Sequence, residues 1–405
     1  MDYRLSPEDE NYRQELRAWL EKTFPRNQPK PKTDTIEDAR KAYQAYQRKL
    51  FEGGYAGIRY PKKYGGQDGT MIQEMIVTEE LVPYARDNAA TINGIGMGMA
   101  LPTINAVGTD EQKEMFLRKL LDGTHVWVQA FSEPNAGSDV AACSTRAVKK
   151  GDHYVVNGQK IWTTSAQYAD WSLVLVRTNP DKPKHKGLSY LLVDLKSPGV
   201  EVRPIKQITG ESEFNEIYFD DVIVPLNMLV GQEDEGWMIA LTTLMFERVV
   251  GDLNMANSFK LMFEEMLTMA KGMKAEGKPV LQNPYFRQKI AKCYSDLMVL
   301  KYSGLRNFSK VFGGGIPGPE GSIGKLLWST LQVNMAELAM EIQGPSNQLM
   351  PESPLAIDDG LFQYSYLYSK GMVIAAGTTE VMKNIIGERV LGLPKDAARA
   401  AITRK

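Results

Sequence analysis

Apolar residues recur at helical spacing through the first stretch of the chain. Ser6 is a good N-cap, Pro7 suits the first helical position, and Asp9 stands three residues after the cap. Tyr12, Leu16, Trp19 and Leu20 then line one face. A Pro-rich connector (PRNQPKPKT, 25–33) follows, and helical patterns resume at 35–52, 70–85 and 110–121. From about residue 126 the period shortens. HVWVQAF, HYVVNGQKIW, WSLVLVRT, LSYLLVDL, VEVRPIKQI and EIYFDDVIV are short, rich in β-branched and aromatic residues, and separated by turn signals. Gly151-Asp152 and Ser197-Pro198-Gly199 read as breakers, and Asn157-Gly158 reads as a hairpin dipeptide. Helical spacing returns at 235–272, 284–312, 322–343, 359–374 and 379–391. The prediction is an α+β chain: an N-terminal helical domain (1–125), a middle domain of antiparallel strands (126–230) and a C-terminal four-helix-bundle domain (231–405). The order is not βαβ, and GIGMGM (94–99) follows no strand, so a dinucleotide fingerprint is not supported.

Composition narrows the chemistry. Length is 405 residues, with 24% charged, 43% apolar and a net charge of −1, so nothing points to nucleic acid or an anionic membrane. The most membrane-like stretch, GIGMGMALPTI (94–104), is short and broken by Gly and Pro; no membrane span is expected. The start of the chain is polar without an apolar signal core, and Cys143 and Cys293 form no CxxC pair, so a cytoplasmic protein is expected. His125, His153 and His185 are scattered, no metal-spaced cluster occurs, and no GxSxG elbow occurs. No metal is expected, and an enzyme built this way takes its reactivity from an organic cofactor.

Two stretches carry candidate chemistry. FSEPNAGSDV (131–140) offers hydroxyls and free backbone N–H groups to a polar ligand, or is an ordinary turn. GQKIWTTSA (158–166) sets Trp162 beside Thr163 and Thr164, which suits a planar heteroaromatic ring, or is a core Trp with surface threonines. In this order, within a β module flanked by helices, and with FNEIYFDDVIVP (214–225), Gly236-Trp237 and AGTTEVMKNIIGERVLG (376–392), the chain resembles the acyl-CoA dehydrogenase family along essentially its whole length.

The resemblance implies an FAD enzyme. It would oxidise an acyl-CoA across Cα–Cβ to the trans-2-enoyl thioester and pass electrons to an electron-transfer flavoprotein, as a homotetramer or as a heterotetramer with a related chain. By position, it implies Gln129, Phe131 and Ser132 along the flavin ring, with Ser138 contacting flavin and thioester. Trp162, Thr163 and Thr164 would lie at the ring edge, and Thr378 and Glu380 would reach the cofactor from the C-terminal motif. The family's Gln-x-x-Gly-Gly stretch, which meets the ADP half of FAD across a subunit interface, reads EIQGP here, so Glu341 and Gly344 occupy its places beside Pro345. The family's pyrophosphate arginine has no match; Lys274 in GMKAEGK is nearest.

The Cα proton needs a carboxylate. In many relatives it immediately precedes the Gly-Thr of the C-terminal motif, where this chain has Ala376. A subgroup that includes isovaleryl-type, long-chain-type and steroid side-chain dehydrogenases carries it on a helix just before an arginine, and LMFERVV matches with Glu247 and Arg248. Ala240, Leu244, Glu247 and Gly251 share one helical face, leaving room beside the acid. An apolar surround raises such a carboxyl and Arg248 limits the rise. A surface ion pair is the alternative for the Glu247-Arg248 pair, and Glu380 is the rival base. The resemblance leaves the Ala376 backbone N–H as a donor to the thioester oxygen, and Arg248 and Ser138 as substrate contacts. The acyl group expected is bulky or branched. Three other readings remain: a subunit of a heteromeric dehydrogenase that is non-catalytic or supplies the base, a flavin monooxygenase or oxidase on the same fold, and a carrier-bound thioester in place of coenzyme A.

Overall fold

A computed structural model describes residues 4–25, 31, 33–85, 89–275, 277–312 and 318–395, with the side chains of 247–251 and 311–312 outside the description. The chain divides into two compact units, Met1–Glu247 and Arg248–Lys405.

The first unit opens with α1 (Pro7–Thr23), α2 (Ile36–Glu52), α3 (Met71–Ala85), α4 (Leu101–Val107) and α5 (Asp110–Leu121). The Ser6 hydroxyl accepts from the Asp9 N–H at 3.1 Å, the cap the sequence called for. Thr109 and Gln112 close a reciprocal capping box at the start of α5. Leu16, Leu20, Tyr46, Leu50 and Ile76 form one apolar cluster. Ile104, Phe116 and Leu120 belong to a second, which continues into the sheet through Trp127, Val174, Tyr190 and Leu192.

The strands are β1 (Trp127–Ala130), β2 (Arg146–Lys150), β3 (His153–Thr164), β4 (Trp171–Arg177), β5 (Leu188–Asp194), β6 (Val200–Pro204), β7 (Phe214–Pro225) and β8 (Leu229–Val230). They run in the order β6-β7-β3-β2-β4-β5-β8, with β1 on β4. The sheet is antiparallel-rich, as predicted, but not wholly so, because β1 pairs β4 in parallel and β2 touches β4 in parallel at Arg146 and Arg177. The β2 strand escaped the pattern because RAVKK is mostly charged and buries only Ala147. Asn157-Gly158 is not a hairpin. Strand β3 runs on through it to Thr164 against the same partner β7, the register shifts between Val156 and Gly158, and Gly158 takes φ +149°. It lies opposite a bulge whose extra residue is on β7, where Asp220 and Asp221 face the single Asn157, and a Cβ on Gly158 would come within 2.7 Å of the Thr145 Cα.

Helix α6 spans Gly236–Gly272. In the second unit it is followed by a two-residue strand pair, β9 (Lys274–Ala275) with β10 (Lys278–Pro279), then α7 (Pro284–Phe312), α8 (Gly321–Gln343), α9 (Leu361–Met372) and α10 (Thr379–Ile385). Phe259, Met266, Leu297, Leu331, Met335 and Phe362 supply the core of this helical bundle. Each fully buried side chain of this kind contributes about 1.5–3 kcal/mol. Asn283 caps α7 by accepting from the Tyr285 N–H at 2.9 Å. Among the described residues no helix is long and apolar enough to cross a membrane, and no group of His, Cys, Asp and Glu is placed to hold a metal.

Candidate functional site

The two motifs of the β module are joined by a charge pair inside the protein. Lys160 lies at the same strand parity as Tyr154 and Val156 and is likewise buried. Its Nζ donates to Glu133 Oε1 at 2.8 Å and to the Phe131 carbonyl at 3.0 Å. Glu133 accepts further from the Thr145 N–H at 2.8 Å and, on its other oxygen, from the Ser144 N–H and hydroxyl at 2.6 and 2.8 Å. Burial pushes the Glu133 carboxyl up. Lys160 and the three added donors outweigh it and hold the group at about 2. Two backbone bonds between Glu133 and Ala136, 3.1 and 3.0 Å, close the SEPNA turn. The Ile161 N–H donates to the Ser132 carbonyl at 2.9 Å. The loop of the first motif is therefore stapled to the strand of the second.

Strand β3 itself bulges between Lys160 and Thr163. Trp162 sits in that bulge at φ +61°, an outlier for so bulky a residue, and is 58% exposed. Holding it there costs about 1–3 kcal/mol, strain that clusters at ligand sites. Its ring meets Phe214 edge-on at 6.2 Å. Asn215, buried, donates to the Thr163 carbonyl at 3.0 Å and supports the distortion. Thr163 is itself buried with no partner for its hydroxyl, while Thr164 is half-buried. Gln129 and Ser132 are half-buried, Phe131 is buried, and Ser138 is exposed on the loop. An exposed flat ring, a buried hydroxyl left without a partner beside it and an exposed Ser138 on the loop of the first motif are features that suit a planar polar cofactor.

The remaining candidates fall in α6 and in the second unit. Positions 247 and 248 lie within α6, but the side chains of Glu247 and Arg248 are outside the described residues. Ala376 is exposed at φ +55°, between Ala375, whose N–H donates to the Gly371 carbonyl, and Thr379, whose N–H donates to the Val373 carbonyl. Thr378 caps α10 by accepting from the Val381 N–H at 3.3 Å. Glu380 is exposed in the first turn, and its carboxyl is held below the ordinary range by a backbone N–H and the Thr378 hydroxyl. Glu341 accepts from the Tyr285 hydroxyl and from Lys289 Nζ, both at 2.6 Å. Burial raises its carboxyl, and these two donors more than reverse that. Gly344 takes φ 57°, ψ −135°, open only to glycine, and its N–H is already given to the Glu341 carbonyl.

Models of the acyl-CoA dehydrogenase N-terminal, middle and C-terminal domains match residues 6–124, 129–222 and 234–391. The chain belongs to the acyl-CoA dehydrogenase family. The acyl-CoA dehydrogenase IpdE1 of Mycobacterium tuberculosis is 34% identical over 96% of this chain and 98% of that protein. Its namesake in Mycolicibacterium smegmatis is 35% identical over 96% and 99%. Among solved structures, the ChsE4-ChsE5 complex from Mycobacterium tuberculosis is 31% identical with a TM-score of 0.81, covering 98% of this chain and all of the matched one. The Tcur3481-Tcur3483 steroid ACAD is 26% identical with a TM-score of 0.82 over 98% and 100%. As an acyl-CoA dehydrogenase this protein is an FAD-dependent oxidoreductase, and Trp162 lies within the matched middle domain. Glu133 and Lys160 were missed as site residues in the sequence. The signal was there: a lysine at an inward strand position two residues before the bulged Trp162.

Proposed function

We propose that this acyl-CoA dehydrogenase removes hydrogen across Cα–Cβ of a bulky acyl-CoA, with Glu247 as the acceptor of the Cα proton. FAD, when bound, supplies the acceptor for the hydride leaving Cβ. Gln129, Phe131, Ser132, Trp162, Thr163 and Thr164 would hold its ring, Ser138 would touch ring and thioester, and Thr378 and Glu380 would contribute from the C-terminal motif. The Ala376 N–H donates to the thioester oxygen and stabilises the negative charge that builds there as the proton leaves. Arg248 keeps the neighbouring carboxyl ionised enough to take the proton. The division into domains at 1–125, 126–230 and 231–405 belongs to the same reading.

The observation that carries it is the buried Lys160–Glu133 pair. It binds two separate motifs into one surface, with the strained Trp162 at its edge. Relatedness to a steroid ACAD structure favours a steroid acyl thioester over a straight chain, and an electron-transfer flavoprotein would take the electrons onward. The test is anaerobic titration of the yellow holoprotein with straight acyl-CoAs of rising length, isovaleryl-CoA and a steroid side-chain acyl-CoA. Bleaching by one of them, lost in Glu247→Gln with FAD retained, is expected. A holoprotein that none of them bleaches overturns the reading.

A second reading concerns assembly. Glu341 is an acid tied to Lys289 and Tyr285, and Pro345 has no N–H to give a phosphate. A chain so built makes a poor ADP-binding neighbour for a copy of itself. A heterotetramer with a related chain suits it better than a homotetramer, and the related ChsE4-ChsE5 structure is likewise a complex of two different chains. Purification alone as a colourless, unstable product supports this; a stable yellow homotetramer with one FAD per chain overturns it.

A further inference from the structure

Three hydroxyls meet inside the first unit where no water reaches. Thr103 on α4, Tyr190 on β5 and Thr243 on α6 have no exposed surface. The Thr243 hydroxyl donates to the Ile239 carbonyl at 3.0 Å, one turn back on its own helix. It accepts from the Thr103 hydroxyl at 2.9 Å and lies 3.0 Å from the Tyr190 hydroxyl, which must then be the donor. One proton given and two lone pairs filled exhaust what a threonine hydroxyl can do. Burial leaves the Tyr190 phenol neutral and able to donate, pushing its proton affinity far above the ordinary value.

Apolar side chains could have filled this space without polar desolvation. What hydrogen bonds add is direction: they fix the rotation and axial position of α6 at Thr243, which greasy contacts leave free to slide. Position 247 follows Thr243 by about 40° around the helix and about 6 Å along it. The other side of Tyr190 faces the cofactor motif, where its ring packs edge-on to Phe131 at 5.7 Å and 82°. One side chain therefore touches the loop proposed to meet FAD and the helix proposed to carry the base.

We infer that Tyr190 and Thr243 are positioning residues: their hydroxyl node sets the register of α6 so that a carboxylate at 247 meets the Cα proton. This rests on the proposed role of Glu247. Misplacing a reacting group by about 1 Å costs on the order of 100-fold in rate.

The test uses the FAD-loaded protein, with its partner chain if one copurifies, and the acyl-CoA that bleaches wild type fastest. Thr243→Val keeps the shape and removes the hydroxyl, Tyr190→Phe removes only the phenol oxygen, and Thr243→Ser keeps the hydroxyl. Thr243→Val is expected to bleach about 10- to 100-fold more slowly, with FAD affinity and KM little changed and a larger isotope effect from α-deuterated substrate. Tyr190→Phe should shift the same way by less, and Thr243→Ser should recover most of the rate. Wild-type bleaching in both Thr243→Val and Tyr190→Phe, while Glu247→Gln is inert, overturns this inference and leaves the base in place. So does a loss that serine does not recover, or one matched by loss of FAD. Normal bleaching in Glu247→Gln overturns base and inference together.

Discussion

Lys160 Nζ stands 2.8 Å from Glu133 Oε1, and both side chains are buried. Removing one member strands the other's charge in the interior, which costs about 3–5 kcal/mol. Lys160→Met should therefore lower unfolding stability in urea by about that amount and weaken FAD binding. The double variant Lys160→Met/Glu133→Gln should regain part of the stability, because no lone charge remains buried. Equal urea midpoints for wild type and Lys160→Met would remove the pair from any account of the site.

The same pair gives a pH dependence. The Glu133 carboxyl is depressed from 4.5 to about 2 in the folded protein, so its contribution is complete above 4.5 and fades as pH falls from there toward 2. The stability gap between wild type and Glu133→Gln, measured by denaturant at stepped pH, should be constant from pH 7 to 5. It should shrink below that window. A gap that instead widens on acidification would show that Glu133 is not held ionised.

How much of this was legible in the chain depends on what each residue's neighbours are. Ser6 announced α1 because an N-cap is a local device, satisfied within three residues. Asn157-Gly158 misled because a glycine with positive φ serves a turn or a register shift between strands equally well, and only the continuation of β3 through it decides between them. Lys160 was passed over because a lysine in a strand is ordinarily solvated, and its partner lies 27 residues earlier on another segment. Thr243 drew no notice for a similar reason, since the two hydroxyls it meets, on Thr103 and Tyr190, are distant in sequence. The base at Glu247 rests on family resemblance and helical spacing alone.

Trp162 offers a trade between stability and binding. A residue that tolerates φ +61° should relieve its strain, and little apolar burial is lost because the ring is 58% exposed. Trp162→Gly should unfold at an equal or higher temperature than wild type in the FAD-free protein, yet bind FAD more weakly, as read by fluorescence titration. Tighter FAD binding in that variant would show that the indole obstructs the cofactor.

At Glu341 the expected stability effect is small. Its ion pair with Lys289 is largely solvent-exposed, and such pairs contribute about 0–1 kcal/mol. Glu341→Gln combined with Pro345→Gly should leave the melting temperature within a few degrees while raising FAD content per chain in protein purified alone. Unchanged FAD content would place the obstacle to self-assembly elsewhere.

The two ends of the sheet bear on how the chain meets others of its kind. At one end β8 is two residues long, and at the other β6 carries the Glu201–Arg203 pair and stops at Pro204, which has no N–H to offer. Both rims are poor templates for a neighbouring strand, which disfavours cross-β fibril growth at either.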